Sequence, residues 1–194
     1  MIRLKAPQRR EQLIEVATKL FAKSGYEATT TAAIAEAAGV TEPILYRHFK
    51  SKQELFVAIV REMSDQTMQQ WHAAIENVTD PAERIRKICA AIPDHMKRLG
   101  DAYHVLHGAL ATSRDKKVIA VVREHYQQIE DFFGKLITEG VKAGVFRKNQ
   151  NPKAAAWHFI WSGIGYAMIQ LNLGGIDRPL VEDTIESILR GLRA

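Results

Sequence analysis

The sequence predicts an all-α protein of about nine helices, with a short, tightly punctuated three-helix head and a longer helical body. Three observations carry this. Apolar residues recur three and four positions apart along the whole chain, the spacing of one helix face. Cap residues, several followed by proline, mark starts, and glycines mark stops. No β-branched alternation bounded by a hairpin turn interrupts the pattern. The chain has 194 residues, of which 46% are hydrophobic and 25% charged, the balance of a globular domain rather than of a disordered tail.

Helix one is expected at about 8–24. Leu13, Val16, Ala17, Leu20 and Phe21 share one stripe, and Gly25 stops it. Helix two spans about 31–38, capped by Thr30 and ended by Gly39. Helix three spans about 42–48, capped by Thr41. Ser51-Lys52-Gln53-Glu54 reads as a capping box opening helix four, about 52–77. Asp80-Pro81-Ala82-Glu83 opens helix five, which Pro93 should kink. Gly100-Asp101 is expected to begin a sixth segment ending near Ser113, and helix seven follows over about 115–143. Asn151-Pro152 opens helix eight, Gly174-Gly175 ends it, and helix nine spans about 179–192.

Helix eight needs a membrane check, because Ala154–Ile176 carries no formal charge over 23 residues. It also carries His158, Ser162, Gln170, Asn172 and four glycines. It is therefore expected to be buried in a core or an oligomer interface, with no membrane association. The N-terminus has no apolar run of the signal-peptide kind, and the single cysteine, Cys89, suits a reducing compartment. A cytoplasmic location is expected.

Charge divides the chain. Residues 1–52 hold nine Lys/Arg against five Asp/Glu, and the remaining 142 residues hold eighteen against seventeen. The excess at the N-terminus suggests a polyanion contact, to which Arg3, Lys5, Arg9 and Arg10 would contribute. Helices two and three are joined by Ala38-Gly39-Val40-Thr41, the short glycine-bearing turn of a helix-turn-helix over about 30–49. Val40, Leu45 and Phe49 would pack inward on Ile34 and helix one. Glu42, Pro43, Ile44, Tyr46, Arg47 and His48 are left for the other faces of helix three, the set a recognition helix needs.

The string AIAEAAGVTEPILYRHFKSKQELF resembles the signature of the TetR/AcrR transcriptional regulators. The matching features are Ile34-Ala35, Gly39-Val40, Leu45-Tyr46, His48-Phe49 and Ser51-Lys52, preceded by FAKSGYEATTTAAIA with its Phe-x-x-x-Gly-Tyr and threonine-rich entry. The resemblance is specific over about residues 8–60. It implies a homodimer with a DNA-binding head (1–52, running into helix four to about 60) and a ligand-binding and dimerisation domain over 53–194. It further implies a repressor released from a palindromic operator by a small molecule. Helices eight and nine would form the dimer contact.

Chemistry agrees with those positions. Thr30, Thr31 and Thr41 start helices, where hydroxyls and unpaired amides suit phosphate. Tyr46 and His48 can donate to phosphate. Lys52 sits in the first turn of helix four, against the helix dipole, and a phosphate partner would explain it. Pro43 and Ile44 offer apolar contact to a thymine methyl, and Arg47 suits a guanine edge. Glu42 could accept from cytosine N4 or favour its own helix start. One position departs from the family pattern: relatives often carry a base-reading Arg at the second position of helix two, and here it is Ala32.

The C-terminal half is neutral and aromatic, which suggests a lipophilic effector. Tyr103, His104, His107, Trp157 and Trp161 are its candidate contacts, and HGALATSRDKKVIAVVREHY loosely resembles regulators of fatty acyl compounds. Asp101, His104 and His107 are considered for metal, but no HExxH motif or paired ExxH motif supports them, and neither a metal nor a cofactor is expected. Two alternatives stay open. One is a structural DNA-binding protein without ligand. The other is an all-α enzyme using Glu124, His125 or His107, although no nucleophile–base string accompanies them. A non-enzymatic regulator is the expected function.

Overall fold

The computed structural model describes residues 5–193, so Arg3 lies outside the described residues. These residues form nine α-helices: α1 Ala6–Ser24, α2 Thr31–Ala37, α3 Glu42–His48, α4 Lys52–Ile75, α5 Pro81–Ala90, α6 Ile92–Thr112, α7 Lys116–Lys142, α8 Pro152–Asn172 and α9 Arg178–Leu192.

The helix starts follow from their caps. Asp80 accepts from the amides of Ala82 (3.2 Å) and Glu83 (3.3 Å) ahead of α5. Asn151 accepts from the Ala154 amide at 3.1 Å and Asp177 from the Leu180 amide at 3.0 Å. Each satisfies an amide that the helix itself leaves without an acceptor. Ser51 accepts from the Glu54 amide at 3.1 Å, and the Glu54 carboxylate reaches back to the Lys50 amide at 2.8 Å, one residue earlier than a standard capping box.

Two expectations are corrected. Pro93 does not kink helix five. It lies in the first turn of α6, where its missing N–H has no intrahelical acceptor to lose. Gly100-Asp101 starts nothing and lies inside α6. The glycine is there for closeness, since a Cβ would stand 2.9 Å from Leu171 Cδ2 of α8. Thr41 does occupy the N-cap of α3, but its hydroxyl makes no cap hydrogen bond.

The chain divides into two compact units. One is the chain up to Ser64 with Asp101–Arg123, and the other is Asp65–Gly100 with the chain from Glu124 onward. In the first unit, Leu13, Ala17 and Phe21 of α1 are buried with Ile34 of α2, Leu45 of α3 and Phe49, all at 2% exposure or less. Gly39, at φ 66°, makes the turn between α2 and α3 that a side-chain-bearing residue would resist. The second unit is centred on Ile85 and Ile88 of α5, Phe133 and Ile137 of α7, Phe159 of α8 and Leu189 of α9. The rings of Phe133 and Phe159 stack at 5.0 Å. Gly140 lets Phe146 fold back onto α7: a Cβ there would lie 2.1 Å from the Phe146 ring.

Candidate nucleic-acid interface

The head positions its polar side chains through one buried face and one open face of α3. Leu45 is fully buried and Phe49 nearly so, and Arg10 lies over the Phe49 ring at 5.1 Å. Tyr46, one residue on from Leu45, is therefore turned outward and is 47% exposed. Thr41, Pro43 and Arg47 are exposed, and Glu42, Ile44 and His48 are half-buried. Pro43, Tyr46 and Arg47 thus share the exposed side of α3, with Glu42, Ile44 and His48 at its margins. Thr30 caps α2, accepting from the Ala33 amide at 3.1 Å.

Thr31, Glu42 and Tyr46 are joined. The Thr31 hydroxyl donates to Glu42 Oε1 at 2.5 Å and lies 3.2 Å from the Tyr46 hydroxyl. A carboxylate only accepts, so the single Thr31 proton goes to Glu42. Tyr46 must then donate to Thr31. The result is an oriented chain, Tyr46 to Thr31 to Glu42, tying α3 to the first turn of α2.

Lys52 is placed by contacts that its position in sequence does not reveal. Its ammonium donates to the carbonyls of Tyr26 (2.8 Å) and Glu27 (3.1 Å) and sits 4.5 Å from the centre of the Tyr26 ring. Two of its three protons are engaged, leaving one for an external acceptor. Tyr26 is held edge-on between Phe21 (5.3 Å) and Phe56 (5.1 Å). Its hydroxyl pKa is pushed up to about 12 by burial, with Asp115 and Glu27 adding to the effect. Tyr26 escaped sequence reasoning, although the Gly25-Tyr26 pair was its signal. Gln12, which donates to the Ala38 carbonyl at 3.3 Å and accepts from Arg9 at 2.5 Å, had none.

The candidate effector residues fall in both units. In the first, Tyr103 and His107 are buried with ring centres 6.1 Å apart, and His104 is half-buried. Burial, with the nearby His104, lowers the His107 pKa to about 4. In the second unit, Trp157 donates to Glu130 at 2.6 Å, and its ring lies 5.7 Å from that of Trp161, which is 60% exposed. The second unit also holds a cavity of about 310 Å³ between α5, α8 and α9, with Cys89, Phe159, Tyr166, Val181, Ile185 and Ile188 among its walls. None of the five predicted effector residues lines it. Among the described residues, no three His, Cys, Asp or Glu side chains gather to hold a metal ion, and no helix is long and apolar enough to cross a membrane.

Residues 13–59 match the family model for bacterial regulatory proteins of the tetR family. A solved TetR/AcrR-family regulator from Thermobifida fusca aligns over 96% of this chain and 100% of its own, with a TM-score of 0.68 and 28% identity. Residues 13–59 thus carry the segment shared by tetR-family regulators, and the chain as a whole is similar to a solved member of that family. Among curated relatives, it is 34% identical to the HTH-type transcriptional activator FasR of Mycolicibacterium smegmatis over 54% of this chain and 48% of that protein. It is 25% identical to the HTH-type transcriptional repressor KstR2 of the same species, over 72% of this chain and 68% of that one. The alignment with FasR thus spans about half that relative's length. The tetR match covers the whole α2–α3 turn, so the open face of α3 described above lies inside the family's shared segment.

Proposed function

We propose that this chain is a ligand-responsive, DNA-binding transcriptional repressor of the TetR family that acts as a homodimer on a palindromic operator. The observation that carries this is the open face of α3. Arg47, Pro43 and Ile44 stand exposed or half-buried there over a fully buried Leu45, within residues 1–52, which hold nine Lys/Arg against five Asp/Glu. The DNA-binding domain is assigned to residues 1–52, continuing to about 60, and the ligand-binding and dimerisation domain to 53–194. Thr30, Thr31, Thr41, Tyr46, His48 and Lys52 hold phosphates. Pro43, Ile44 and Arg47 face bases. The protein works in the cytoplasm and catalyses no reaction.

The second chain docks on α8 and α9. Trp161, Met168 and Ile169 of α8, Leu173 just after it and Leu180 of α9 are large apolar side chains left 45–83% exposed, and a second chain would cover them. The effector is a lipophilic small molecule of fatty acyl type held in the C-terminal half. Tyr103, His104 and His107 of the first unit are its proposed contacts, whereas Trp157 and Trp161 lie in the second, where the exposure of Trp161 suits the dimer contact. Support for an apolar ligand comes from the near-neutral, aromatic composition of the C-terminal half. Effector binding shifts the dimer toward a conformation with lower operator affinity, which requires the ligand to prefer that conformation.

The test is to recover genomic fragments bound by the purified protein and to titrate the complex with acyl compounds of graded chain length. Discrete fragments, released by a subset of these compounds, are expected. Tight binding to discrete fragments with no compound able to release them would remove the ligand-responsive part. No fragment enrichment would remove the regulator reading.

A further inference from the structure

Glu42 is an acid at the place where a polyanion is expected to bind. A helix start favours a carboxylate, and that alone would make Glu42 a dipole partner of α3. Its observed contact is different. Oε1 accepts from Thr31 of α2 rather than from an amide of α3, and Thr31 in turn accepts from Tyr46. Glu42 and Tyr46 are four residues apart and lie on the same side of α3, and Tyr46 is among the exposed side chains of the head. The carboxylate is therefore fixed beside the reading face.

We propose that Glu42 is a specificity-determining residue: its carboxylate accepts from an exocyclic amino group, of cytosine or adenine, in the major groove of each half-site. The inference rests on the reading of α3 as the element that faces DNA. An ionised carboxylate has no donor to offer. In the major groove, cytosine N4 and adenine N6 present donors, whereas guanine O6 and N7 and thymine O4 present acceptors. Facing an acceptor, Glu42 meets like charge density on both base and backbone, and the complex is penalised. Facing an amino group, it gains a charge-assisted hydrogen bond. The carboxylate has acceptor sites left beside the bond from Thr31, so that bond holds it in place while it accepts from the base. Non-cognate DNA lacks the amino donor. Glu42 thus raises specificity partly by repulsion.

The experiment is selection of bound duplexes from a random pool with the full chain and with Glu42→Gln and Glu42→Ala, each first checked for cooperative thermal unfolding. Glu42→Gln retains an oxygen for Thr31, so it preserves the link between α2 and α3. The wild-type motif is expected to hold one position per half-site restricted to cytosine or adenine, and the selected base separates the two. In Glu42→Ala the restriction at that position disappears, and in Glu42→Gln, whose amide both donates and accepts, it relaxes or moves toward adenine, while the remaining positions, including the Arg47 contact, persist. Binding to mixed-sequence duplex becomes severalfold tighter as the repelling charge is lost. A wild-type motif without such a position, or one that Glu42→Ala leaves unchanged, overturns the role of Glu42 and leaves the regulator reading standing. A wild-type chain that selects no motif at all overturns both.

Discussion

Replacing Lys52 by alanine should produce two separable losses. Inside the head, the ammonium makes two hydrogen bonds, to the carbonyls of Tyr26 at 2.8 Å and Glu27 at 3.1 Å, and lies 4.5 Å from the centre of the Tyr26 ring. A hydrogen bond to a charged group contributes about 1.5–3 kcal/mol when well shielded, and an exposed cation–π contact about 0.5–1 kcal/mol. Lys52 is half-buried and its bond to Glu27 is exposed, so only the bond to Tyr26 and the ring contact count, each at its lower end. Lys52→Ala should then lower unfolding stability by about 2 kcal/mol, measured by urea titration. Outside the head, the proposed function gives the third proton and the charge to a phosphate. Losing that contact in both subunits should flatten the log–log salt dependence of operator binding by about two units per dimer. Lys52→Met keeps the packing of the stem but not the charge, and should show the same flattening. A stability loss with an unchanged salt slope would make Lys52 an internal strut only. A changed slope without a stability loss would refute the energetic reading of the Tyr26 contacts.

Arg47→Ala should cost about 1–3 kcal/mol per half-site on the cognate operator and little on mixed-sequence DNA, as read by fluorescence anisotropy. Gly140→Ala places a methyl 2.1 Å from the Phe146 ring, so urea titration should register a destabilisation of about 1–3 kcal/mol from overpacking. His95 is held neutral, its pKa lowered from 6.5 to about 4 by burial and by the charge of Arg98. Between those pH values the unfolded chain binds a proton that the folded chain refuses. Stability should therefore fall as pH drops from about 6.5 to 4 and level off below, and His95→Gln should make denaturation midpoints less steep across that window. Leu173→Glu, at an 83% exposed position, should shift sedimentation toward the monomer without unfolding the chain, whereas an unchanged dimer would move the contact away from the end of α8.

The fold was largely legible because the chain punctuates itself. Thr30, Asp80 and Asn151 stand before helical stretches, and each accepts from an amide in the first turn of its helix, as does Asp177, which was not singled out. The boundary between α5 and α6 was not legible. Proline interrupts a helix or begins one, and only the break at Ala91 makes Pro93 a beginning. Gly100 misled for a related reason, since its purpose is contact with Leu171, 71 residues away in sequence. In the head, the open face of α3 followed from the buried spacing of Leu45 and Phe49. What periodicity does not encode is how polar side chains pair across turns. Lys52 looked ill-placed from its helix dipole alone, because its acceptors are the carbonyls of Tyr26 and Glu27 in the preceding loop. The link from Glu42 to Thr31 crosses eleven residues and was invisible for the same reason. The effector half was least legible, because an aromatic stripe such as Trp157, Trp161 and Ile164 reads alike as core, interface or pocket wall. Trp157 is tied to Glu130 and Trp161 is mostly exposed, so even neighbours on one stripe differ in environment.

The central claim is that two chains read DNA through paired α3 helices. Hydroxyl-radical footprinting on a selected high-affinity fragment tests it most directly. The account predicts two protected patches related by a two-fold axis, with centres about one helical turn, roughly 34–36 Å, apart along the duplex, or slightly more where the groove is widened. Arg47→Ala should weaken both patches together. A single patch, protection spread evenly along the fragment, or a footprint indifferent to Arg47→Ala would contradict the claim.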